Sequence, residues 1–142
     1  MNILVINGPN LNLLGSRHPE IYGNETLEQL MNWLEVTSEG KEHTFRFYQS
    51  NHEGHIIDCI HDNREWMQGL IINAGAFTHY SYSIRDAIEA VGISAVEVHI
   101  SDIKNREDFR KVSVLEDVCL GQVYGLGKLS YLEGLKILIN KE

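Results

Sequence analysis

The sequence predicts an α/β fold, a five-stranded parallel sheet with helices on both faces. Three observations point to it. Short strand-like runs recur at 2–6, 43–49, 69–73, 94–100 and 119–125. The stretches between most of them carry apolar residues at helical spacing. Strand and helix alternate, and that alternation implies crossover connections and parallel pairing.

Taken in order, residues 2–6 (NILVI) form a short apolar run, as a strand buried on both faces does. The next seventeen residues, NGPNLNLLGSRHPEIYG at 7–23, fit no regular element and hold both prolines and three of the twelve glycines of the chain. Connections inside compact domains commonly run to about 4–6 residues, so a loop this long points to a lid or binding loop. Thr26 and Gln29 then have the spacing of a capping box, and Leu27, Leu30, Met31 and Leu34 mark one helical face. HTFRFYQ at 43–49 suits a strand with Phe45 and Phe47 on one side. Ser50 and Glu53 have the spacing of a second capping box, ahead of a helix with Ile56, Ile57 and Ile60 inward. GLIIN at 69–73 reads as another buried strand. Thr78 is expected to cap a third helix carrying Tyr80, Ile84, Ala87, Ile88 and Val91 on its inner side. Strands follow at 94–100 and 119–125, and a last helix over 128–140 is expected to bury Leu129, Leu132, Leu135 and Ile139.

With 142 residues, the expectation is one domain over 1–142 with a single sizeable core. A net charge of −8 argues against nucleic acid or an anionic membrane as partner, because both need a basic face. No apolar stretch approaches the ~20 residues that span a bilayer. The start of the chain has no basic segment leading into an apolar stretch and cleavage site, so a cytoplasmic location is expected. Cys59 and Cys119 form no CxxC pattern and read as free thiols in a reducing compartment.

In parallel α/β folds ligands bind beyond the carboxyl ends of the strands. The polar clusters fall there: NGPN, SNHEG, NAGAFTH and HIS follow the first four strands. Glycine spacing in NGPN and GQVYGLG matches neither dinucleotide nor P-loop patterns, and turn chemistry accounts for it. His52, His55 and His61 lack a partnering ligand motif and read as a solvated face rather than a metal site. In EVHIS, Glu97, His99 and Ser101 point the same way at strand period two. A carboxylate beside an imidazole fixes its tautomer and raises its pKa, which suits a general acid; a structural histidine at a strand end is the alternative. Arg17 and Tyr22 lie five apart in the long loop, and a guanidinium stabilises a phenolate that could act as base. Arg106 and Arg110 read either as an exposed charged face or as carboxylate recognition. Asp86 lies about 200° round its helix from Ile84, so it is either a solvated carboxylate or a contribution to a neighbouring subunit.

Seven blocks, NGPNLNLLGSRHPEIYG, SNHEG, INAGAFTH, SIRDA, EVHISDI, REDFR and GLG, occur in the order and spacing of the type II 3-dehydroquinate dehydratases, and the chain resembles that family from Ile3 to about Leu138. The resemblance implies a flavodoxin-like fold, assembly as a homo-oligomer (a dodecamer of trimers), and no metal or organic cofactor. It implies anti elimination of water from 3-dehydroquinate through an enolate, a step of the shikimate pathway. By position, Tyr22 would be the base, and Arg17, on a mobile lid, would hold it as phenolate. Asn10 would help stabilise the enolate through a water, and His99, oriented by Glu97, would protonate the leaving hydroxyl. The backbone N–H groups of Ile100 and Ser101 with the Asn73 side chain would bind the substrate carboxylate. His79 and Arg110 would hold substrate hydroxyls, Arg106 would be a further substrate-binding cation, and Asp86 would reach in from an adjacent subunit. Three positions depart from the pattern: Ala74 stands where proline is usual, Asp102 where asparagine is common, and Val112 where a polar residue is. A non-catalytic flavodoxin-like binding or assembly module is the competing class. The Arg17–Tyr22–His99 set argues against it, since a module without catalytic demand needs none of the three together.

Overall fold

The computed structural model describes residues 1–16 and 18–141, with the backbone but not the side chain of Tyr22. Five strands, β1 (Asn2–Asn7), β2 (Thr44–Gln49), β3 (Gly69–Asn73), β4 (Ala95–Val98) and β5 (Gly121–Val123), form one parallel sheet in the order β2-β1-β3-β4-β5. Four longer helices cover it: α2 (Leu27–Val36), α3 (Glu53–Asp62), α4 (Tyr82–Val91) and α5 (Leu129–Ile139). A single turn of helix, α1 (Pro19–Tyr22), lies in the long connection after β1.

Side chains of a strand alternate between faces, and the two cores follow that alternation. Ile3, Val5, Ile71, Val96 and Val98 pack with Leu30 and Leu34 of α2 and Tyr131, Leu135 and Leu138 of α5. Leu4, Ile6, Leu70, Ile72 and Ala95 face the other way, onto Ile56 and Ile60 of α3 and Ile84 and Ile88 of α4. The central strands are therefore apolar at almost every position, which explains their unbroken hydrophobic runs. On α5, Gly134 permits close approach to β4, since a Cβ there would stand 2.5 Å from Val98 Cγ1.

Thr26 and Gln29 form the expected capping box, with Gln29 N–H donating to Thr26 Oγ1 at 3.1 Å and Thr26 N–H to Gln29 Oε1 at 2.9 Å. Elsewhere the local expectations need correction. The loop after β1 contains a 3-10 turn at Leu11–Leu13 as well as α1, so it is not wholly irregular. Helix α3 begins at Glu53, with His52 as an N-cap that makes no side-chain cap bond; Ser50 Oγ accepts from His52 N–H, and Glu53 accepts from the Ser81 hydroxyl. Helix α4 is capped by Ser81, not Thr78, because Ser81 Oγ accepts from Ile84 N–H. Tyr80 and Leu129 are exposed rather than buried, whereas Tyr131 is fully buried. Each of these misplacements puts a residue one helical turn or less from its true position, where periodicity alone cannot choose between neighbours.

Candidate active site

Strand order reverses about β1, and the loops leaving β1, β3 and β4 open to the same edge of the sheet. Backbone contact locks the first two together. Gly8 N–H donates to the Asn73 carbonyl at 2.7 Å, and a Cβ at Gly8 would meet the Ala74 carbonyl oxygen at 2.5 Å. The end of β2 holds the β1 loop from the other side: Asn10 N–H donates to Asn51 Oδ1 at 2.9 Å, and the Gln49 amide donates to the Gly8 carbonyl at 3.1 Å.

A cavity of about 120 Å³ lies at this edge. Asn10, Asn73, His79, His99, Ser101, Arg106 and Arg110 all line it, as expected of residues gathered from separate loops. Ile100 is buried just behind, and neither its backbone N–H nor that of Ser101 donates to another described residue. Asp86 is exposed on α4 and does not line the cavity in this chain. Arg17 and the side chain of Tyr22 lie outside the described residues.

Glu97 sits behind His99 with no exposed surface. Its neighbours Val96 and Val98 face the α2/α5 side, so Glu97 faces the α3/α4 side, beneath the segment leading into α4. A buried carboxylate needs donors to replace water. It has four: Thr78 Oγ1 at 2.7 Å, Ser113 Oγ at 2.7 Å, Gln122 Nε2 at 3.1 Å and His99 Nε2 at 2.5 Å. Burial raises the Glu97 carboxyl, but the hydrogen bond and charge of His99, with the bonds from Thr78 and Ser113, outweigh it and hold it below the ordinary value. An ionised carboxylate only accepts, so His99 Nε2 carries a proton and Nδ1 is the nitrogen left for transfer toward the cavity.

His79 is placed by the same logic. Its Nδ1 lies 2.7 Å from the Val112 carbonyl, which only accepts, so Nδ1 is protonated and Nε2 is free to accept. Burial pushes its pKa down, and the nearby His99 and Arg110 act in the same direction against the bond to Val112. Val112 thus serves through its backbone, and its exposed side chain is under no demand from this contact. Glu107 reaches both arginines, at 3.8 Å from Arg106 Nε and 3.2 Å from Arg110 Nε, while Arg106 also donates to Ser101 Oγ at 3.2 Å. Asp102 Oδ2 accepts from Asn105 at 2.6 Å, and its Oδ1 is buried without a partner among the described residues.

The sequence points to no site role for Ser113, Gln122 or Glu107, and for Thr78 only to a helix cap rather than to Glu97. Gln122 alone had a usable signal, since strand pairing in register sets it opposite Glu97. His52 and His55 pack ring to ring at 4.7 Å on the exposed side of α3. Among the described residues no three or more His, Cys, Asp or Glu gather as metal ligands, and no helix is long and apolar enough to cross a membrane.

Fold and site together define an α/β protein of flavodoxin-like strand order with a buried carboxylate–imidazole pair at the carboxyl end of β4, beside the cavity. The family model Dehydroquinase class II matches residues 1–139. A 3-dehydroquinate dehydratase of Prochlorococcus marinus (strain MIT 9215) is 54% identical over 139 residues, 98% of this chain and 95% of the relative. Another from Halothermothrix orenii is 50% identical over 138 residues, 97% of this chain and 93% of that one. The crystal structure of a type II dehydroquinase from Butyrivibrio crossotus superposes with a TM-score of 0.94 at 49% identity, covering 99% of this chain and 98% of the other. This chain belongs to the class II dehydroquinase family.

Proposed function

We propose that the protein is a 3-dehydroquinate dehydratase, a hydro-lyase of the shikimate pathway that eliminates water to give 3-dehydroshikimate. One observation carries the reading beyond family membership. A buried Glu97–His99 pair presents one imidazole nitrogen to a cavity lined by amide and guanidinium donors. A ketone α-proton is weakly acidic, so the site must stabilise an enolate as well as supply a base.

In this reading Tyr22 is the base, held as phenolate by Arg17, and Asn10 stabilises the enolate oxygen through a water. His99 then protonates the departing hydroxyl from Nδ1, while Glu97 accepts from Nε2–H and holds the ring in place. The unused N–H groups of Ile100 and Ser101 with the Asn73 amide suit a carboxylate. His79 Nε2 accepts from a substrate hydroxyl, Arg110 donates to another, and Arg106 braces Ser101. One catalytic domain spans 1–142 and works in the cytoplasm. It assembles as a homo-oligomer, a dodecamer of trimers, in which Asp86 reaches a neighbour's site; an exposed Asp86 on α4 supports that part.

The test is to add purified protein to 3-dehydroquinate and follow the ultraviolet absorbance of the conjugated enone, with Tyr22→Phe alongside. Absorbance that rises with the parent and stays flat with the variant supports both reaction and base. A flat trace from a folded parent would move the weight to a binding or assembly module.

A further inference from the structure

Among the described residues Tyr131 is the largest fully buried side chain, set among the aliphatic residues between α5 and the sheet. A phenol there must find hydrogen-bond partners, because leaving its oxygen unpaired in apolar surroundings is costly. It finds two, each at the end of a strand. Asn73 Nδ2 donates to Tyr131 Oη at 2.9 Å, and Tyr131 Oη donates to Asn7 Oδ1 at 2.6 Å. Neither Tyr131 nor Asn7 lines the cavity; Asn73 does.

The direction of every link in this chain is forced. Gly75 N–H lies 3.2 Å from the Asn73 side chain, and a backbone N–H can only donate, so the atom facing it is Oδ1. Nδ2 is then on the side of Tyr131. A phenol carries one proton, and having accepted from Asn73 it gives that proton to Asn7 Oδ1. The Asn7 amide is left with Nδ2 toward Met31 Sδ at 3.5 Å, an acceptor only. An amide nitrogen has two protons, and the second proton of Asn73 Nδ2 has no partner among the described residues.

We infer that Tyr131, backed by Asn7, is a positioning residue that turns the Asn73 amide so that it offers an N–H, and never its carbonyl, to the cavity. Without Tyr131 Oη the amide keeps only the long bond from Gly75, and both its orientation and the facing donor are loosened. This rests on the reading above, in which that donor meets the substrate carboxylate. Phenylalanine would fill the same volume, so packing alone does not call for the hydroxyl.

Steady-state kinetics on 3-dehydroquinate with Tyr131→Phe is the test. A donor to a carboxylate is worth enough that its loss raises KM about tenfold, with kcat expected to stay within about twofold. Unchanged KM in a folded but less stable variant would make Tyr131 a core residue only, and loss of kcat at constant KM would equally overturn the inference. Should Tyr131→Phe not fold, Asn7→Ala removes the far acceptor and is expected to raise KM about threefold; an unchanged KM there overturns the relay. Hydrogen exchange of the Asn73 side-chain amide, read by NMR, judges the relay without substrate. Exchange faster in Tyr131→Phe than in the parent supports it even if the parent fails to dehydrate 3-dehydroquinate, and equal exchange sinks it.

Discussion

The wall of the cavity formed by the end of β4 and the wall formed by the loop after β1 are built on different principles. His99 is 4% exposed and backed by Glu97 at 0%, whose carboxylate accepts four hydrogen bonds from four separate segments. The β1 loop is fastened chiefly at its near end. Leu11 and Leu14 plug into the α2/α5 core and Asn51 holds the Asn10 backbone, whereas His18, Pro19, Glu20 and Ile21 are exposed. One wall is fixed by buried hydrogen bonds before substrate arrives, and in the proposed mechanism the base comes from the other wall, past its last buried anchor. That division suits an acid that must hold one tautomer and a base that must come over a bound substrate.

The largest effect should come from the loop wall. Tyr22→Phe is expected to cut kcat by at least about 10³-fold with KM changed little, since a positioned base contributes about 10²–10⁴. Retention of activity would remove the base from that wall altogether. Next, Glu97→Gln tests the rigid wall, with an expected loss of about 10²-fold in kcat. It also has a pH signature. The folded-state pKa of Glu97 lies below its ordinary 4.5, so its ionisation stabilises the fold above that pH and the contribution is lost as pH falls through the folded value. The melting-temperature gap between parent and Glu97→Gln should therefore be widest near neutrality and narrow on acidification below 4.5. A gap that widens on acidification would mean that Glu97 is held protonated.

Ser113→Ala should have a smaller effect on both stability and rate. Ser113 Oγ donates to Glu97 and accepts from the backbone N–H groups of Leu115 and Glu116, at 3.1 and 3.2 Å. Its loss should cost about 1–3 kcal/mol by chemical denaturation and lower kcat several-fold, because Glu97 keeps three donors. No change in either would mean that Glu97 is over-supported and that the four-donor cage is not what fixes the acid. The smallest effect on the protomer belongs to Asp86→Ala, whose exposed side chain should leave stability within about 0.5 kcal/mol. Its consequence should appear as a rise in KM of about threefold or as a smaller assembly by light scattering. An unchanged oligomer with unchanged kinetics would confine the site to one chain.

Most of the frame was legible from residue order. Uninterrupted apolar strands such as 69–73 and helical stripes such as Leu30–Met31–Leu34 report burial directly, because periodicity is a consequence of which face meets the sheet. Helix starts were legible only where one geometry was available. The spacing of Thr26 and Gln29 marks the start of α2, whereas Thr78, expected to cap α4, lies three residues before its true cap, Ser81. Thr78 was free to serve Glu97 once Ser81 had taken the cap. Tyr131 and Leu129 show the same limit on α5, where apolar residues occupy more than one face and packing alone selects the inner ones.

The sequence by itself determined the alternation that makes a two-sided parallel sheet, the edge at which ligand-binding loops gather, and the family whose motifs fill them. Those are properties of local pattern and order along the chain. Tertiary structure alone decided which polar side chains complete one another. Glu97 draws on residues 78, 113 and 122, and Asn73 on residue 131. Partners so far apart share no period or motif. They are joined because a buried polar atom needs a hydrogen bond wherever the fold brings a donor or acceptor within reach.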